Sequence, residues 1–378
     1  MQSRKGLKVF VDAYLLSKEP QGTVTYLKGL YTAVTRQNPD IDFYFGCIEQ
    51  VELEEFKTLE NVHWIIYKDL SRVNRMLYEI PKLIEQYKFD FAHFQYVIPL
   101  KKRKKCVYIN TIHDVLFIDY PQYFPFKYRL VRKLLFKRSA NTCDILLTVS
   151  EYSRNAIANH FGIDKDKIKV VPNGISARYF LAYNRSEVQS EVKREFGLKN
   201  YFLMVSRIEP RKNQALLLKT FFDHKWDQAE IQLVFVGSKS LAYKELDNFL
   251  SSLTDKQKES VHFISGIDDQ KLSNIYRGAE GFIYPSIAEG FGIPPLEAGA
   301  CRIPVLCANG TAMEEYDFFK PYFCDVFDEN EFQKAFTTFA KARSQNDLKM
   351  ISSEIEKRFS WHEIAEKFSE ILLKQRKN

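Results

Sequence analysis

The chain has 378 residues, 45% hydrophobic and 15% aromatic, which supplies two or three domain cores and is too apolar for a disordered protein. Charged residues make up 27%, and no apolar run approaches the ~20 residues that span a bilayer, so an integral helical membrane protein is excluded. The net charge of +7 splits into +9 over residues 1–180 and −2 over residues 181–378; any nucleic-acid, lipid or other anionic partner is expected on the first half, and charge alone does not choose among them.

Basic residues precede the first apolar stretch, yet Asp12 interrupts it and its alternation is that of a core strand rather than a secretion signal. Strands are predicted at Leu7–Asp12, Asp42–Cys47, His63–Ile66, Phe91–Phe94, Val107–Ile112, Ile145–Val149 and Lys169–Val171, with helices such as Thr23–Arg36 and Lys127–Ser139 between them. Residues 176–199 are polar and carry no convincing strand, so the interdomain connection is predicted there. The alternation then restarts with strands at Tyr201–Val205, Ile231–Val236, Val261–Ile264, Gly281–Tyr284 and Pro304–Cys307, and helices at Asn213–Phe222, Tyr243–Leu253, Asp269–Arg277 and from about Pro294. The predicted fold class is α/β, with two doubly wound Rossmann-like domains, 1–180 and 181–361, facing a central cleft, and a C-terminal helix over 362–378 packing back on the first. Six scattered cysteines without a CxxC pair point to a reducing cytosol and no structural zinc.

The most informative segment is Tyr284–Ala300, YPSIAEGFGIPPLEAGA. A strand ends at Tyr284, Gly290 and Gly292 keep the loop free of side-chain bulk, and Pro294 or Pro295 suits a first helical turn. The amides of Gly292 and Ile293 can therefore approach an anion such as a diphosphate, with Glu289 and Glu297 close to it. A second strand runs into Arg207, Arg211 and Lys212; a departing diphosphate needs such cations, and Arg211 reads most readily as a solvated turn residue. In the first half, His113 and Asp114 stand where a strand ends, and Gly22 precedes the first helix as a phosphate-loop candidate or a simple turn.

With these residues in place the chain resembles the retaining glycosyltransferases of family 4, the group 1 enzymes of GT-B architecture. The resemblance covers nearly the whole length through TIHDVLFIDYPQYF (111–124), TVSEYSRNAI (148–157), VVPNGIS (170–176), SRIEPRKN (206–213) and EGFGIPPLEAGACRIPV (289–305). Glu289 and Glu297 match the family's two glutamates around a GFG loop, Arg207 and Lys212 its diphosphate-binding pair, and His113 its sugar-side histidine. Ser206 replaces a frequent glycine, and the Gly22 loop lacks the frequent Gly-Gly. The resemblance implies a nucleotide-sugar donor, with mannose from GDP-mannose the first choice, and transfer with retention to a glycan or lipid-linked oligosaccharide in cell-surface polysaccharide synthesis. Catalytic roles fall to Glu289 and His113; donor binding falls to Arg207, Lys212, Gly290, Phe291, Gly292, Ile293, Glu297 and Gly22, with Gly266 and Ile267 beside the nucleobase.

No metal or other cofactor is expected, because Asp164-Lys-Asp166, although a literal DxD, sits in a polar turn. Lys101–Lys105 and Lys127–Arg138 concentrate the basic charge; Tyr128, Val131, Leu134 and Leu135 of the second form an apolar stripe that is either core or part of an anionic-membrane contact. Nucleic acid is not expected, and the expected location is cytoplasmic, with peripheral attachment to the inner membrane face. The alternatives are a non-enzymatic basic membrane- or glycan-binding module on the same scaffold, or another sugar-phosphate enzyme such as a phosphorylase.

Overall fold

The computed structural model describes residues 6–16, 22–49, 53–341 and 347–376. The chain divides into two units, Met1–Gly174 with Trp361–Asn378, and Ile175–Ser360. The first unit therefore ends at Gly174 rather than near residue 180, and the chain returns to it at Trp361.

Seven parallel strands form the first sheet: β1 (Leu7–Asp12), β2 (Ile41–Cys47), β3 (Val62–Ile66), β4 (Phe91–Gln95), β5 (Val107–Thr111), β6 (Ile145–Thr148) and β7 (Ile168–Val170). Their spatial order is β3-β2-β1-β4-β5-β6-β7, so the direction of sheet growth reverses between β1 and β4. β1 and β4 are buried almost throughout, because a parallel sheet is covered on both faces by its crossover helices. Those helices are α1 (Gly22–Gln37), α2 (Arg72–Asn74), which runs through a π turn at Arg75–Glu79 into α3 (Ile80–Tyr87), α4 (Leu116–Asp119), α5 (Phe126–Thr142) and α6 (Glu151–Phe161).

The second unit repeats the plan. Strands β8 (Tyr201–Val205), β9 (Gln232–Val236), β10 (Val261–Ile264), β11 (Gly281–Tyr284), β12 (Val305–Ala308) and β13 (Phe323–Cys324) pair in the order β10-β9-β8-β11-β12-β13, again parallel, with the reversal between β8 and β11. β13 was not predicted; two residues carry no periodicity to detect. Helices α7 (Arg185–Phe196), α8 (Gln214–Asp223), α9 (Lys244–Ser252), α10 (Asp255–Lys258), α11 (Asp269–Gly278), α12 (Ile293–Ala300), α13 (Glu329–Lys341) and α14 (Leu348–Phe359) complete it.

The segment predicted as the connection, 176–199, holds α7 instead. Asn184 caps its start, Gly197 ends it in the left-handed conformation at φ 72°, Val188 and Val192 are buried, and Arg185 Nη2 donates to the Ala279 carbonyl at 2.7 Å. Its polarity reflects one buried stripe on an otherwise solvated helix.

The last helix, α15 (Trp361–Arg376), packs along α1 in the first unit: Phe368 lies 5.9 Å from Tyr31 and 5.4 Å from His93, ring centre to ring centre. The Trp361 indole occupies the space that a Cβ on Gly29 or Gly174 would need.

The α5 stripe departs from a core reading. Tyr128, Val131, Leu134 and Leu135 are exposed, and the helix is anchored instead by Phe136, Ser139 and Ala140. Arg138 ties it to the residues just before the other basic segment, donating to the carbonyls of Ile98, Pro99 and Leu100 at 2.7–3.0 Å.

Candidate active site

In open α/β sheets, ligands bind outside the carboxyl ends of the strands where strand order reverses. In the second unit that point lies between β8 and β11, and the two loops leaving these strands carry most of the predicted site.

After β8, Glu209-Pro-Arg-Lys212 makes a single 3-10 turn that ends at Asn213, left-handed at φ 61°. After β11, the loop runs from Pro285 to Gly292, which at φ 88° caps α12 and lets Pro294 and Pro295 occupy its first turn. The loops are joined by a buried ionic cluster. Glu289 Oε1 accepts from Lys212 Nζ, from Tyr284 Oη at 2.9 Å and from Ser286 Oγ at 2.5 Å, while Oε2 lies 3.4 Å from Arg211 Nη1. The Glu289 amide donates to Thr311 Oγ1 at 2.9 Å. Burial alone would push the Glu289 carboxyl up, but Lys212 and Arg211 beside it, with hydrogen bonds from Lys212 and Ser286, hold it at about 2. For Lys212, burial and neighbouring Arg211 pull the ammonium down, against the pull of Glu289.

Arg211, expected as a solvated turn residue, is the clasp between the loops. Nη1 donates to the Ala288 carbonyl, Nη2 donates to Glu209 Oε1 at 2.6 Å, and its own carbonyl accepts from the Ile287 amide at 2.9 Å. Only a pairing between loops 77 residues apart reveals this role.

Glu297 sits in α12, one turn beyond the amides of Gly292 and Ile293. Its Oε2 accepts from Tyr276 Oη of α11 at 2.8 Å, and Tyr179 also donates to the carboxylate. Burial raises the Glu297 carboxyl to about 7 despite these two donors. Neither tyrosine was singled out from the sequence: Tyr276 falls in a helical pattern, where a single aromatic residue reads as core, and Tyr179 in the segment predicted as the interdomain connection.

The other predicted residues are placed as follows. Arg207 is exposed on the β8 loop, and its carbonyl accepts from Gln214 Nε2 at 2.8 Å. Phe291 is a packing residue: its ring lies against Tyr316 and Phe359, and its carbonyl accepts from Tyr316 Oη at 2.6 Å. Gly290 lies in the same buried loop. Gly266, at φ 70°, and Ile267 lie on the loop between β10 and α11, the helix that carries Tyr276. Asp164 of the DxD caps a 3-10 turn by accepting from the Asp166 amide at 3.1 Å.

In the first unit, His113 is buried beyond β5. It shares a 2.8 Å hydrogen bond with Gln95 Oε1, and its ring lies 4.9 Å from Tyr26 and 5.2 Å from Tyr96. Because the partner is an amide oxygen, Nε2 carries the proton; burial lowers the ring to about 3, so His113 is neutral at neutral pH. Gln95 continues to His93, which meets Tyr31 Oη at 2.7 Å and Thr111 Oγ1 at 2.8 Å. Gly22 opens α1 with no atom near the position of an added Cβ, and the neighbouring Thr23 hydroxyl meets Tyr96 Oη at 3.2 Å. Residues 19–21, which lead into Gly22, lie outside the described residues.

Residues 186–358 match the model of glycosyl transferases group 1, and residues 20–179 match that of glycosyltransferase family 4. The chain belongs to this glycosyltransferase family. The glycosyltransferase is 26% identical over 303 residues to the O-antigen chain mannosyltransferase B of Escherichia coli, covering 75% of this chain and 77% of the relative. To the O-antigen chain mannosyltransferase RfbU of Salmonella typhimurium it is 29% identical, covering 60% of this chain and 58% of that one. Its fold matches Anabaena HepE, solved with UDP and glucose, at a TM-score of 0.72 and 16% identity, covering 98% of this chain and all of that one. WaaG, a glycosyltransferase of lipopolysaccharide biosynthesis, matches at 0.69 and 17%, covering 97% and 99%. The enzyme thus has two Rossmann-like domains and is a nucleotide-sugar-dependent glycosyltransferase; among its described residues no helix is long and apolar enough to cross a membrane.

Proposed function

We propose that the enzyme transfers mannose from GDP-mannose, with retention at the anomeric carbon, to a glycan or lipid-linked oligosaccharide of a cell-surface polysaccharide. The observation that carries this reading is the buried Glu289–Lys212–Arg211 cluster at the strand-order reversal of the second unit, beside the first amides of α12. The two O-antigen mannosyltransferases among the relatives support the choice of sugar.

Breaking the bond from the anomeric carbon to the phosphate concentrates negative charge on the leaving diphosphate. Arg207, Lys212 and the amides of Gly292 and Ile293 neutralise it, while Glu297 holds the ribose hydroxyls. Three donors fill Glu289 Oε1, so Oε2 is the oxygen available to the donor sugar. Held anionic, Glu289 favours the positive, oxocarbenium-like transition state electrostatically. The leaving phosphate takes the acceptor's proton as the acceptor attacks the same face. No metal or cofactor enters this scheme.

The test is a thermal-shift panel of UDP, GDP, ADP, dTDP and CMP in EDTA, on wild type and Arg207→Ala. A ligand at 100 times its dissociation constant adds about 2.7 kcal/mol, or roughly 5–10 °C for units of this size. GDP should stabilise wild type, and the variant much less. A response to GDP that requires a divalent ion would overturn the metal-free scheme, and no response to any nucleotide would overturn the donor site.

The basic surface of the first unit is proposed to rest on anionic lipid. Neither 101–105 nor 126–142 contains an acidic residue, and the outward α5 face adds Phe126, Leu130 and Leu134 to its lysines. The enzyme should sediment with phosphatidylglycerol vesicles at low salt and leave them as salt rises; equal binding to neutral vesicles would refute it.

A further inference from the structure

The buried cluster of the second unit holds a second carboxylate, Glu209, at the start of the 3-10 turn that follows β8. The residue before a proline is pushed into extended conformation, and Glu209, ahead of Pro210, is extended at φ −159° and ψ 153°. Each of its carboxylate oxygens is taken: Oε1 accepts from Arg211 Nη2 at 2.6 Å, and Oε2 accepts from Ser240 Oγ at 2.8 Å. Ser240 belongs to a third loop, the one leaving β9, which is itself tied to the β8 loop. The Ile208 amide donates to the Ser238 carbonyl at 3.0 Å and the Ser240 amide to the Ile208 carbonyl at 3.2 Å. Gly237, at φ 144°, lets the two loops close up, since a Cβ there would lie 2.0 Å from the Ser206 carbonyl oxygen. Glu209 therefore holds Arg211 against a rigid neighbour.

The cluster balances two cations, Arg211 and Lys212, against two anions, Glu209 and Glu289, as buried charges must. The cations are shared unequally. Lys212, Tyr284 and Ser286 all donate to Glu289 Oε1. Arg211 stands between the two carboxylates, 2.6 Å from Glu209 Oε1 and 3.4 Å from Glu289 Oε2. A charge-assisted bond from a guanidinium to a carboxylate settles at about 2.7–2.9 Å, so the contact to Oε2 is held open. Without the Glu209 charge, the attraction between Arg211 and Glu289 would close that gap, and Oε2 would be occupied by a cation of the protein's own.

We propose that Glu209 is a positioning residue of the donor site: by holding the Arg211 guanidinium it keeps that cation off Glu289 Oε2 and leaves this oxygen to a hydroxyl of the donor sugar. This rests on the nucleotide-sugar reading of the site and adds to it the residue that keeps the sugar-facing oxygen open.

GDP and GDP-mannose serve as probes, titrated calorimetrically into the full-length protein, and the ratio of their dissociation constants isolates the sugar's contacts. Glu209→Gln keeps the side chain's shape and a hydrogen-bonding partner for Ser240, so it should fold; an unchanged melting midpoint checks this. It should weaken GDP-mannose about tenfold relative to GDP, the loss of one charge-assisted hydrogen bond. GDP itself should bind at least as tightly as to wild type, because the cluster around Lys212 has lost a negative charge, whereas a loosened loop would weaken both ligands. Adding Arg211→Gln removes the competing cation but keeps a donor for the Ala288 carbonyl, and should return the ratio to within about twofold of wild type. Should that double variant melt early, Glu209→Gln in a Glu289→Gln chain replaces it; there the substitution should leave the ratio where Glu289→Gln alone puts it. Equal weakening of both ligands by Glu209→Gln, a ratio that Arg211→Gln does not restore, or a further rise in the Glu289→Gln chain overturns the proposal. GDP binding with a ratio unmoved by Glu209→Gln sinks this proposal alone, while a wild type that binds no nucleoside diphosphate sinks the donor reading and this proposal with it.

Discussion

Glu289 and Glu297 are the same residue type eight positions apart, yet their surroundings drive them in opposite directions. Glu289 is surrounded by cations and held at about 2, whereas Glu297, whose nearest donors are tyrosine hydroxyls, is raised to about 7. A carboxyl raised on folding binds its proton more tightly in the native state, so its contribution to stability is present below about 4.5 and lost as pH rises through about 7. Ribose hydroxyls, by contrast, prefer the carboxylate. Nucleotide affinity should therefore weaken as pH falls below about 7, and Glu297→Gln should flatten that dependence. Titrations of GDP from pH 5.5 to 8.5 check this; a wild-type profile as flat as the variant's would disprove the role. The sequence marked both glutamates but not their protonation, because Tyr179, Tyr276 and Arg211 reach them from other elements.

Among elements, α1 and α15 show how a local preference is overruled. An alanine in place of a helical glycine usually adds about 1 kcal/mol of stability. At Gly29 the added Cβ would enter the space of the Trp361 indole, a rigid ring also packed over Gly174. Gly29→Ala should thus destabilise by about 1–3 kcal/mol, as overpacking does, and a melt showing stabilisation would disprove the packing argument. For α5, the same apolar letters that fill a core face outward, because its inner face is satisfied by Phe136, Ser139 and Ala140. Composition shows that α5 mixes Leu with Lys, whereas which side is covered depends on the sheet beneath.

For the whole molecule, the decisive feature is that the chain leaves the first unit at Gly174 and returns at Trp361. A chain ending at Ser360 would lose Phe368 and Leu372, both fully buried, from the first unit and nothing from the second. Amide exchange should accelerate in β1 and β2 of that truncated chain, while β8 and β11 keep their protection; uniform acceleration in both units would contradict this division.

The sequence by itself determined the two doubly wound units, nearly every strand and the glycine-lined loop before α12. These follow from short-range rules: apolar runs of strand length, glycine and proline at turns, and motif residues close together in the chain. Only the tertiary structure decided that Arg211 clasps two loops, that the Phe291 ring packs against Tyr316 and Phe359, and that Arg185–Phe196, inside the predicted connection, is a helix of the second unit. Each depends on a contact between residues far apart in the chain, and such a contact exists only once the sheet has placed its carboxyl ends together.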